Sequence, residues 1–594
     1  MSRILLIPIG LVALLVGALA WSGGAKENRA HFAFINRGDI ITLDLNEMSY
    51  MQDFRLTYGI REGLYALEQD TLKPIPGGAV RHTVSDDKKT WTFQLRPEAK
   101  WSNGDPVTAQ DYLFSWRWML EQPGEYTYLF YYVKGAEQYE KDLAAYFNDP
   151  DKNARPSFED VGVKAPDEHT FVVTLNNPVP YMLELVAFPP FYPRHAKSME
   201  PFKRVLNEKT GQYTYEWNYT RPPHVVTNGP YVLTQWDFKV RLWLEKSETY
   251  WDKDHVRSPT IEMVVNDNPL SQFLQYETGQ VDWQADVPGD LAAELRAAGR
   301  TDLRSAPAFG TAFLTFLCRP TLPQSLGGSL AGAKNPLADV RVRQALAMSI
   351  DRRFVVDNIT RMGELPARTY VPPDGTLPGY EWMDVDEPAK FYTDEQMRQM
   401  LSSAGGMSGP GAGLPYDVAR ARQLLADAGY PDGAGFPRLP VVYNTDSTAR
   451  TRIVQVLKNQ WKHNLGIDVD LQGVELKTYR DLVTKKEYAI APVAWYGDYP
   501  DASTFTDKYL STSLQNDAAY ESAEYDALLK RAESEPDAAK RLRLLEKAEH
   551  MLNTEVPIVP IYHYVNVSLS RDNVENVKPN GRNITIFKHV WVNK

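Results

Sequence analysis

The chain has 594 residues, 43% of them hydrophobic and 24% charged, with a formal net charge of −11 and a single cysteine. That length is too great for one hydrophobic core, so about three domains are expected. The acidic balance argues against nucleic acid as a partner, and the lone Cys318 excludes an internal disulfide or a cysteine-built metal site.

The first element is a targeting segment. One arginine precedes an apolar run from Ile4 to Trp21, and Ala18–Ala20 and Gly23–Ala25 offer small-residue cleavage sites. Residues 1–25 are expected to be a cleaved signal. The run is at the lower limit for spanning a bilayer, so an uncleaved anchor is the competing reading. No cysteine follows it for acylation, and both readings export the rest of the chain.

"KTWTFQLRPEAKW" (Lys89–Trp101) alternates as a half-buried strand should. Asn103–Gly104 then predicts a turn and Thr108 a helix start, with Thr108 and Asp111 as a capping box and Tyr112, Leu113, Trp116 and Leu120 along one face. Thr170–Val186 reads as strand, turn and short helix, and Asn228–Trp251 as an aromatic-rich hairpin. Cys318, in "FLTFLCRP", reads as a small buried hydrophobe. Ala338–Ile359 and Tyr416–Tyr430 carry amphipathic helices. Between them "SSAGGMSGPGAGLP" predicts a flexible surface loop. Val441–Leu476 reads strand, loop, helix, strand, and the last long helix leads into a proline-bounded strand. The pattern is mixed α/β.

No phosphate-binding loop, dinucleotide fingerprint, nucleophile elbow or H-E-x-x-H occurs, and no two of the ten histidines fall within one helical turn. One stretch stands apart. In "AWYGDYPDASTF" (Ala494–Phe505), an apolar run ends in Trp495 and Tyr496, and Gly497 then delivers Asp498 among aromatics, with no acidic or histidine neighbour. Asp498 could cap the following turn, although Asp501, just after Pro500, is the better cap. Alternatively, a ligand supplies its partner. The local sequence leaves both open.

Several stretches in order resemble the oligopeptide/dipeptide-binding family (family 5) of solute-binding proteins that serve ABC importers. They are "DDKKTWTFQLRPEAKWSNGDPVTAQDYLFSWRWML", "NGPYVLTQWDFKVRLWLEKSETYWD", "DVRVRQALAMSIDRRFVV", "DYPDASTF", "AEYDALLKRA" and "RLRLLEKAEHMLNTEVPIVPIYHY", and the matches run from about Leu43 to Ile586. The insertion around Met397–Leu414 departs from the pattern. The resemblance implies an α/β, two-lobed periplasmic-binding-protein-like fold. Lobe I is 30–64 with 219–308 and 560–594, 65–218 is an accessory domain inserted in it, and lobe II is 309–559. It further implies a periplasmic, monomeric peptide binder without cofactor or catalysis, delivering to an ABC permease in the inner membrane.

In the family an aspartate at the Asp498 position pairs with the ligand's α-ammonium, and main-chain groups around Ala494 and Tyr496 take up extended peptide backbone. Trp495, Tyr496 and Gly497 line the same groove. Tyr564, in "YHYVN", corresponds to another cleft tyrosine. Tyr126 is a weaker candidate, better read as a core aromatic. The family's basic residues for the ligand carboxylate correspond to Ala449, Val483 and Pro492, none of them basic. Arg450, beside Asn444 in "YNTDSTARTR", could substitute, as could Lys485 or Lys486; Leu476 replaces a cleft tryptophan. The alternatives are a different solute in the same fold (a nickel chelate, haem or a sugar), a secreted hydrolase, or a sensing protein. Against nickel, only His563 falls near the cleft stretches.

Overall fold

The computed structural model describes residues 31–36, 38–373, 376–377, 380 and 414–593. The N-terminal apolar run, and the Gly/Ser/Pro segment up to residue 413, lie outside the described residues.

The expected elements form where side-chain periodicity demanded them. Thr90–Leu95 alternates half-buried and buried positions. The helix Ala109–Glu121 begins after Thr108, whose main-chain N–H donates to Asp111 at 2.8 Å in the predicted capping box. Tyr112 and Trp116 on this helix pack against Phe171 of the strand Thr170–Thr174, ring centroids 5.6 and 5.1 Å apart. These strands belong to a four-stranded antiparallel sheet within 65–218.

The main sheet has 11 strands. One half carries the predicted hairpin (Tyr231–Asp237 with Arg241–Lys246), then Thr260–Val265, Phe32–Asn36 and Trp283–Gln284. The other carries Ile490–Tyr496, Pro440–Asn444 and Asp470–Val474, the last two parallel and joined by the helix Thr448–Leu465. Two long strands, Leu303–Phe316 and Ile558–Ser570, run through both halves side by side. Residues 303–307 pair with 565–569 and 311–315 with 558–563, and the ladder shifts between Pro307 and Thr311 and again between Ala312 and Phe313. Irregular pairing at that point bends the ladder where the chain passes from one half to the other.

Two large cores lie on either side of this crossing. Phe32, Phe34, Tyr112, Trp116 and Phe587 belong to the first, and Leu346, Val441, Leu457, Trp461 and Ile561 to the second. Cys318 differs from expectation. The strand ends at Phe316, which leaves the thiol half-buried, its Sγ donating to the Phe316 carbonyl at 3.4 Å. Among the described residues, no helix is long and apolar enough to cross a membrane.

Candidate functional site

The strand Ile490–Tyr496 pairs antiparallel with Leu303–Phe316, placing Tyr496 opposite Gly310 and Trp495 opposite Thr311. Just past its end, the Gly497 N–H donates to the Phe309 carbonyl at 2.8 Å. Alternate residues of an antiparallel ladder turn their main-chain groups to the same partner. Val493, Trp495 and Gly497 therefore face Leu303–Phe316, and Ala494 and Tyr496 turn their main-chain groups the other way. On that side the strand pairs with Pro440–Asn444 only at Val441↔Ile490.

Two glycines allow the crossing to be this close. A Cβ on Gly497 would lie 2.1 Å from the Phe309 ring, and one on Gly310 would lie 2.5 Å from the Tyr496 ring. Tyr496 in turn stacks on Tyr564, centroids 4.9 Å apart. Three predicted site residues, Tyr496, Gly497 and Tyr564, are thus gathered at the point where the long strands change register.

Asp498 follows directly. It is expected to lack a counter-charge from the protein, and its hydrogen-bond partner is neutral: the Tyr128 hydroxyl donates to its Oδ2 at 2.6 Å, with the Tyr126 phenol close by. Burial pushes its carboxyl up to about 6, against the pull of these two hydroxyls and of the Arg582 charge. Burial and the Asp498 charge hold both phenols well above the usual tyrosine value, so they stay protonated and leave the carboxylate's charge unneutralised. Arg582 is itself spoken for, donating to Glu184 at 2.9 Å. Tyr126 keeps a core role as well, edge-on to Phe54 and Phe188 at 5.5 and 5.1 Å. Asp501 is the turn's cap, as its position after Pro500 suggested: Oδ1 accepts from the Ser503 N–H at 3.0 Å, while both oxygens hold Arg541.

Trp495 is half-buried, its indole N–H donating to the Thr504 carbonyl at 2.7 Å and its ring 5.0 Å from the Lys508 ammonium. Asn444 ends its strand buried, and its side-chain oxygen accepts from Arg450, which is half-buried in the first turn of Thr448–Leu465. Lys486 is elsewhere, in a left-handed turn near Arg319, Lys508 and Asp517. Leu476 and Val483 join Tyr479 and Val442 in a small apolar cluster. His563 is buried, its Nδ1 hydrogen-bonded with the Thr311 hydroxyl at 2.8 Å and its imidazole pushed down to about 3, so it stays neutral. Sequence reasoning missed Tyr128 and Arg582. The alternating tyrosines of "EYTYLFYY" carried a signal for the first, and nothing local marked the second.

Comparisons with known proteins give the family and the fold. Residues 73–517 match the profile of the bacterial extracellular solute-binding proteins, family 5. The oligopeptide-binding protein OppA of Bacillus subtilis is 32% identical over 89% of this chain and 87% of its own length. Among solved structures, peptide-bound OppA of Listeria monocytogenes superposes with a TM-score of 0.72 at 26% identity, covering 96% of this chain and 100% of that one. The murein tripeptide binding protein MppA of Escherichia coli gives 0.73 at 25% identity, covering 95% and 98%.

Proposed function

Because the chain belongs to the bacterial extracellular solute-binding proteins of family 5, we propose that it captures oligopeptides between two lobes and hands them to an ABC permease in the inner membrane. Lobe I is 30–64 with 219–308 and 560–594, 65–218 is its accessory domain, and lobe II is 309–559. The two long strands are the hinge, and closure about it encloses the ligand. The role is capture and delivery, with no bond made or broken.

One observation carries this reading. Asp498, a carboxylate with a neutral hydrogen-bond partner and, among the described residues, no ion-paired cation, stands just past a strand whose last residues, Ala494 and Tyr496, turn main-chain groups outward. A buried charge wants a counter-charge, and a peptide's α-ammonium supplies one. The outward-turned groups of Ala494 and Tyr496 suit extended peptide backbone in the manner of an added strand, which is indifferent to side-chain sequence. Arg450, steadied by Asn444, is the group for the far carboxylate. That a Bacillus subtilis relative is an oligopeptide-binding protein and a Listeria monocytogenes neighbour holds peptide supports the same ligand class.

The test is thermal shift and calorimetry on the purified chain with di- to hexapeptides, N-terminally free or acetylated, with wild type and Asp498→Asn. Free-amine peptides are expected to stabilise the chain by about 2.7 kcal/mol at 100 times their Kd, and acetylation or the substitution to remove most of that. Equal binding of both peptide forms would overturn the ammonium clamp. No binding of any peptide would overturn the ligand class.

A further inference from the structure

Tyr499, the residue after Asp498, leaves its own lobe. It is 3% exposed, and its ring is packed into the buried core of the other half of the molecule together with Tyr181; no other buried member of that core among the described residues comes from 309–559. The two rings stack with centroids 4.3 Å apart and planes 15° from parallel. Tyr132 stands edge-on to Tyr181 at 5.8 Å.

The polar tips of these rings are satisfied across the same boundary. The Tyr499 hydroxyl lies 3.2 Å from the Tyr132 hydroxyl and 3.2 Å from Ser503 Oγ, and Ser503 Oγ lies 3.4 Å from the Tyr181 hydroxyl. Behind Tyr181, the Arg541 guanidinium is fixed by two bonds to Asp501 and lies 5.6 Å from the ring centroid. The Tyr181–Tyr499 stack and the Tyr132–Tyr499 hydroxyl contact join 65–218 to 309–559, and the Tyr132–Tyr181 contact braces them from within 65–218. Parting the two would carry a buried tyrosine ring into water and leave its hydroxyl chain broken.

We propose that Tyr132, Tyr181 and Tyr499 form an interlobe latch that stabilises the closed cleft independently of which peptide fills it. The inference rests on the two-lobed, hinge-closing reading above. Only an interaction that differs between two states shifts their balance, and parting 65–218 from 309–559 breaks this one. The apparent dissociation constant is the intrinsic one divided by the fraction of molecules able to close. The latch therefore sets affinity for all peptides by one common factor. Its place beside Asp498 joins the steps mechanically: the segment that meets the ammonium also drives the ring home. These are positioning residues, since no ligand atom need touch them.

The test uses the full chain, with titration calorimetry against two peptides of unlike side chains, trialanine and a lysine-rich pentapeptide, and small-angle scattering of the ligand-free protein. Tyr181→Ala and Tyr499→Ala are each expected to weaken both peptides by the same factor, roughly two- to tenfold from the worth of an aromatic pair. The double variant should lose little more than the stronger single one, because both remove the same stack. Tyr181→Phe, which keeps the ring, should retain most of the affinity and guards against misfolding of the alanine variants. In scattering, both alanine variants should expand the ligand-free chain. Losses that differ between the two peptides, additive losses, or an unchanged scattering profile would each overturn the latch. If wild type binds neither peptide, the ligand reading fails, and the scattering comparison still decides the latch.

Discussion

The protonation of Asp498 gives the most exacting check on the ammonium clamp. Burial pushes this carboxyl from 3.8 up to about 6, and the groups facing it are the Tyr126 and Tyr128 hydroxyls and, further off, the Arg582 charge. A free peptide offers an α-ammonium that loses its proton at about 7.7–8.0. The pair exists only when the acid is ionised and the amine protonated, so affinity should plateau between about pH 6 and 8 and fall on both sides. At pH 5 about one Asp498 in eleven is ionised, so the dissociation constant should rise about tenfold relative to pH 7. At pH 6, where half the carboxyls carry a proton, binding should release about half a proton per peptide. Calorimetry in buffers of different ionisation enthalpy measures that release directly. In the absence of peptide the sign is reversed. An acid raised in the folded state contributes stability that is fully present below its unfolded value and is lost as pH rises through about 4 to 6. The limiting loss is about 3 kcal/mol. Asp498→Asn should abolish the acid limb and the proton release and flatten the alkaline limb with them, because no charge pair is left to titrate. An acid limb that persists in Asp498→Asn, or affinity that is flat from pH 5 to 7, would refute the clamp.

Arg450→Met should weaken peptides with a free C-terminal carboxylate by about tenfold, the scale of one charge-assisted hydrogen bond, and leave C-terminally amidated peptides unchanged; equal loss for both in calorimetry would remove Arg450 from the ligand. Gly497→Ala drives a Cβ to 2.1 Å from the Phe309 ring, and overpacking of this kind should cost about 1–3 kcal/mol in urea unfolding of the ligand-free chain. Glu549 accepts from the Tyr370 and Val371 N–H groups at 2.9 and 2.7 Å and from the Tyr380 hydroxyl at 2.6 Å, and burial pushes its carboxyl up to about 7. Glu549→Ala leaves three buried donors without their acceptor and should cost at least about 3 kcal/mol. Glu549→Gln, which cannot titrate, should flatten the fall in stability that the raised acid imposes between about pH 4.5 and 7, read from melting temperature against pH.

How much of this was legible in the sequence depends on how far each feature reaches. Elements set by local periodicity and capping were readable: Thr90–Leu95 alternates because one face is buried, and Thr108 with Asp111 closes the first helical turn with its own side chains. The strand before Asp498 and the cap at Asp501 were readable for the same reason. The hydrogen-bond partners of Asp498 were not, because Tyr128 is brought to it only by tertiary packing across 370 positions of chain, and a tyrosine in "EYTYLFYY" looks the same whether it fills a core or reaches a carboxylate. Tyr126 packs in the core, as its sequence position suggested, edge-on to Phe54 and Phe188. Tyr499 carries the same lesson further. Its sequence neighbours describe a strand end and a turn, yet its ring belongs to the core of the opposite half. Residues that act between lobes answer to two environments, and local pattern reports only the one they are covalently attached to. Asp498 and Tyr499, adjacent in the chain, therefore meet different surroundings, the first the phenol of Tyr128 and the second the ring of Tyr181.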